Sequence, residues 1–154
     1  MNSPNPLCVG LIALLLAGCR TASLLPPTNL SDSGWQTRQG QAVWRPTRRR
    51  VEIAGELLYA TNANGKCFVQ FSKPPFDLVT AQIMDGQWQI EFGNGQHHWS
   101  GRGNPPSRFV WFKIAWEHAD TMSKGPWQYS QKGSDSWRWE NPSTGEFLEG
   151  AFFR

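Results

Sequence analysis

The sequence predicts one α+β domain, an antiparallel sheet of about seven strands curling around a helix. Three observations carry that prediction. Apolar and polar residues alternate through much of the chain beyond residue 50, the period of strands with one buried face. Fifteen Gly and eleven Pro are spread along the 154 residues, which disfavours long helices. Nine Trp and nine Phe supply an aromatic interior and argue against a disordered chain. The length suits a single domain. Fifteen Lys+Arg against twelve Asp+Glu leave a net charge of +3, too mild to point to a nucleic-acid partner.

The first element is an export signal over residues 1–18. Residues 7–18 are apolar or small, and the run is too short for a bilayer span, which needs roughly 20 residues. It suits the apolar region of a signal peptide. It ends in Leu16-Ala17-Gly18-Cys19, which resembles the lipobox of bacterial lipoproteins. That resemblance implies acylation of Cys19, which becomes the first mature residue and carries three chains. Arg20 in the next position implies sorting to the outer membrane. An ordinary cleaved signal, or a buried helix, is the alternative. Residues 19–34 are rich in Pro, Ser and Asn and read as a flexible spacer, leaving residues 35–154 as the domain. With Cys8 in the signal and Cys19 acylated, only Cys67 remains, so the mature chain has no internal disulfide. Cys67 lies in an alternating segment, as a buried thiol would. A reactive thiol is the other reading, but no His adjoins it in sequence.

The domain elements follow in order. Residues 35–47 are ambiguous: Gln41 to Trp44 could form a short strand, or the stretch a weak helix. Val51, Ile53, Leu57 and Tyr59 then share one face against Glu52 and Glu56, and residues 62–65 turn the chain. Cys67, Val69 and Phe71 share the face of the next strand, which Lys73-Pro74-Pro75-Phe76 interrupts because proline lacks a donor. Leu78 to Met84 resumes, Asp85-Gly86 turns, and Trp88, Ile90 and Phe92 alternate with Gln87, Gln89 and Glu91. Residues 96–102 complete an antiparallel meander. Phe109, Phe112, Ala115 and Trp116 then follow helical spacing behind Asn104-Pro105-Pro106, which predicts a helix over 106–118. Residues 127–131, 136–141 and 146–153 read as three further strands.

No catalytic signature stands out, and the protein is read as neither an enzyme nor a cofactor binder. There is no Gly-x-Ser-x-Gly elbow. His97, His98 and His118 lack metal-ligand spacing, so no metal is expected. Gly101-Arg102-Gly103 lacks the third glycine of a dinucleotide loop. Arg45, Arg48, Arg49 and Arg50 form a basic cluster that suits either a solvated loop or contact with anionic headgroups. The aromatics carry more weight. One sheet and one helix cannot cover all of them, and Trp137 and Trp139 fall on the same side of one strand. Three readings stay open: a filled core, a trough for acyl chains, and a stacking surface for sugar rings. The candidate trough lining is Trp88, Ile90, Phe92, Phe109, Phe112, Trp116, Trp137 and Trp139.

The order of lipobox, spacer, alternating meander, Pro-Pro turn, helix and final hairpin resembles the LolA/LolB superfamily over residues 35–154. The resemblance implies an open, unclosed β-barrel with one or two helices on its concave side. It also implies a monomeric lipoprotein on the periplasmic face of the outer membrane. Such a protein would bind acyl chains of lipoproteins or lipids, receive them from a soluble periplasmic carrier, and help deliver them to the membrane. Pro74, Pro75 and Phe76 stand where that family carries a protruding apolar transfer loop, although Phe76 could simply start the next strand. The alternative function is a structural or interaction lipoprotein with a filled core, docking an envelope complex.

Overall fold

The computed structural model describes residues 25–93, 95–116, 125–133 and 135–153. They form one nine-stranded antiparallel sheet: β1 (Trp35–Arg45), β2 (Ile53–Asn62), β3 (Cys67–Lys73), β4 (Phe76–Met84), β5 (Gln87–Phe92), β6 (His97–Arg102), β7 (Gln128–Lys132), β8 (Ser136–Asn141) and β9 (Glu146–Phe152). The order across the sheet is β6-β5-β4-β3-β2-β1-β9-β8-β7. Two meanders are therefore joined where β9 pairs with β1, Arg45 opposite Phe147 and Gly40 opposite Phe152.

This architecture corrects the expected α+β fold with about seven strands. Among the described residues the only helix is a 3-10 helix at Val110–Trp116, where an α-helix over 106–118 was expected. Phe109 and Phe112 lie three apart, a spacing that fits a 3-10 turn as well as an α-turn, and Pro105 and Pro106 withhold donors just before it. Residues 35–45 form an eleven-residue strand, β1. Polar side chains fill its first half because that half lies beyond the stretch covered by β9, so alternation is weak there.

The sheet bends sharply. On a flat sheet β1 and β5 would lie about 19 Å apart, yet the Trp44 and Phe92 rings meet with centroids 5.9 Å apart. The 3-10 helix fills the concave side against β2, β3 and β4. Its Val110, Trp111, Phe112 and Ile114 are all buried, and so is Lys113 among them, so the segment shows no polar stripe facing solvent. Trp111 packs on Phe71 and Trp44, with centroids 5.2 and 5.3 Å away. Two glycines make room for indoles from the neighbouring strand: Trp88 covers its partner Gly101, and Trp137 covers Gly150.

On the opposite face Ala60, Phe68, Gln82 and Gln89 are also buried. Residues from the stretch expected as spacer meet two of them. Leu25 donates its N–H to Gln89 Oε1 at 2.7 Å, and Thr28 Oγ1 bonds Gln82 Oε1 at 2.7 Å. Gln82 in turn donates to the Pro26 carbonyl. Gln82 is thus satisfied by this segment, and Gln89 by the segment together with Glu91, to which its amide donates, as buried amides require.

Antiparallel pairing sorts the connections. The β1–β2, β3–β4, β5–β6 and β8–β9 turns all gather at one end of the sheet, and the β2–β3, β4–β5 and β7–β8 turns at the other. Asp85 and Gly86, both at positive φ, make the tight β4–β5 turn that the sequence predicts.

Candidate aromatic cavity at one end of the sheet

A cavity of about 380 Å³ opens at the end that carries the β1–β2 and β8–β9 turns. Phe92, His97, Trp99, Arg108, Phe109, Trp111 and Glu146 line it. The last residue of β5, the first half of β6 and the first residue of β9 reach it only because the sheet curls. The residues just before the 3-10 helix close it from inside.

Its walls are aromatic and mutually packed. Trp99 meets Phe92 edge-on at 5.7 Å and Phe109 at 5.8 Å. Trp99 remains 42% exposed, an unusual state for so large an apolar ring. Trp111, by contrast, is 1% exposed, and its indole N–H has no hydrogen-bond partner among the described residues. A buried donor without an acceptor costs free energy, and the Trp137 indole N–H, also buried, lacks a partner in the same way.

Two charged groups share this space without pairing with each other. Glu146 takes a hydrogen bond from Trp44 Nε1 at 3.2 Å. Burial among the rings pushes its carboxyl up to about 7, and the Trp44 bond only partly offsets this. Arg108 is exposed and lies over the Phe109 ring at 4.7 Å. No salt bridge joins either residue to another described residue.

Of the eight aromatic-trough candidates, Phe92 and Phe109 line the cavity. Trp88, Ile90, Phe112, Trp137 and Trp139 are buried in the core. The Trp116 side chain and Cys19 lie outside the described residues. Phe76 is both the first residue of β4 and 58% exposed, so the two readings of it coexist. It follows Pro74 and Pro75, exposed in the turn. In the basic cluster, Arg45 is half-buried, paired with Glu52 at 3.6 Å and stacked over Phe147 at 4.6 Å. Arg48 donates to the Pro142 carbonyl at 2.9 Å, and Arg49 and Arg50 are exposed. Cys67 is buried, and its thiol is pushed up to about 12 by desolvation.

Sequence reasoning missed Trp99, Trp111, Arg108 and Glu146. One signal for Glu146 was present: in β9 it alternates onto the face of Leu148 and Phe152, where a charged residue is out of place. Among the described residues no cluster of three His, Cys, Asp or Glu side chains could hold a metal, and no helix is long and apolar enough to cross a membrane. The chain matches no protein-family model and no curated protein sequence.

Proposed function

We propose that this chain is a lipid-anchored protein of the bacterial envelope, attached through Cys19, whose domain binds an acyl chain of a lipoprotein or lipid and helps deliver it to the outer membrane. The observation that supports the reading is the aromatic cavity, open to solvent and of a size that suits one small ligand, roughly 300–1,000 Å³. Hydrocarbon would leave water for Phe92, Trp99 and Phe109 by the effect that builds any apolar core, with no cofactor and no covalent step. The limited volume restricts the guest to one chain or part of one, supplied by a soluble carrier or taken from the membrane.

The test is to purify the protein gently, extract it with organic solvent and identify what is released by mass spectrometry. Release of near-stoichiometric lipid supports the reading. A Trp99→Ala variant should lose it. Depletion of the protein in cells should disturb lipoprotein sorting.

A second reading has its own support. Trp88, Ile90, Phe112, Trp137 and Trp139 fill most of the concave side with the protein's own side chains. A structural lipoprotein that docks an envelope complex by its outer surface would look like this. An empty extract, combined with one specific partner in crosslinking, would favour it.

A further inference from the structure

We propose that the cavity selects a lipid whose headgroup carries an ammonium beside a phosphate, with the ammonium held at Glu146 among the aromatic rings and the phosphate at Arg108. This deepens the lipid-binding reading and rests on it. Three features meet at one place. Glu146 and Arg108 line the same cavity with opposite charge, and neither has an ion-pair partner among the described residues. Aromatic faces attract cations, and a desolvated carboxylate beside them adds to that attraction. Glu146 is half-buried and Arg108 exposed, so the acid lies deeper and the base nearer solvent. A zwitterionic headgroup supplies the complement to both charges at once. A purely anionic headgroup would bring no cation to Glu146 and would be repelled by its ionised form. The first methylenes of the chains would then lie along Phe92, Trp99 and Phe109.

The experiment is titration calorimetry of the purified full chain at pH 8, where Glu146 is largely ionised. The probes are dihexanoyl phosphatidylethanolamine and dihexanoyl phosphatidylglycerol, each below its micellar concentration, and hexan-1-ol as a chain without charge. Phosphatidylethanolamine should bind about tenfold tighter than phosphatidylglycerol, the size expected of a desolvated cation–aromatic contact with a carboxylate. Glu146→Gln should erase that preference, weakening phosphatidylethanolamine while phosphatidylglycerol binds at least as tightly as before. Arg108→Gln should weaken both phospholipids and leave the uncharged hexan-1-ol little changed relative to them. Thermal unfolding of each variant checks that it is folded. Equal binding of the two phospholipids would overturn the headgroup inference but leave the acyl-chain reading standing. Binding of none of the three probes would overturn both. A preference that survives in folded Glu146→Gln would also overturn the inference.

Discussion

Replacing Glu146 by Gln should make the stability of the domain less dependent on pH, and the size of the effect follows from where the carboxyl sits. Desolvation raises it from 4.5 to about 7 in the folded protein, whereas in the unfolded chain it ionises near its ordinary value. Between those two values the folded state holds a proton that the unfolded state has lost. Stability from this group is therefore complete below about pH 4.5 and falls as pH rises, levelling off above about pH 7. At about 1.4 kcal/mol per tenfold change in proton affinity, the loss is at most ~3.5 kcal/mol, and solvent at the cavity mouth trims it to ~2 kcal/mol. Gln keeps an oxygen to accept the Trp44 N–H and has no charge to bury. The assay is urea unfolding of the two proteins at pH 4.5, 6 and 8, followed by tryptophan fluorescence. The two should differ little at pH 4.5. By pH 8 Glu146→Gln should be the more stable by ~2 kcal/mol. Parallel pH profiles for the two proteins would refute the reasoning.

Three other outcomes are expected. Trp111→Ala removes the most deeply buried indole among the described residues and should cost ~3–5 kcal/mol in chemical denaturation. Gly150→Ala would place a methyl 2.8 Å from the Trp137 ring and 2.9 Å from the Gln41 carbonyl, and should cost ~1–3 kcal/mol in the same assay. The Cys67 thiol, buried and held protonated, should resist a thiol reagent at pH 8 in the folded protein and react promptly in denaturant, as read by mass spectrometry of its peptide.

How far the fold could be read from the sequence varied with how evenly each strand is buried. In β5, Trp88, Ile90 and Phe92 face the core along the whole strand, and the alternation is plain. In β1 the burial is confined to the half that β9 covers, so Trp35 to Gln39 gave no such pattern. The segment at Val110 is enclosed on every side, which erases the polar stripe by which an α-helix would have been told from a tighter turn. The cavity was half legible. Phe92 and Phe109 could be picked out as apolar residues in excess of core needs. Glu146 could not be joined to them, because β9 reaches β5 only through the curl of the strands between, and local periodicity carries no trace of that curvature.

The hydrogen bond from Leu25 to Gln89 has a consequence for the anchor proposed at Cys19. With that residue pinned to the sheet, the leash back to Cys19 is six residues, able to stretch no further than about 20 Å. Had the chain been free as far as residue 34, the domain could have swung far out from such an anchor. Tied at Leu25, it would ride within a protein's own width of the membrane that holds it, close enough for a guest to pass between the two without crossing open water.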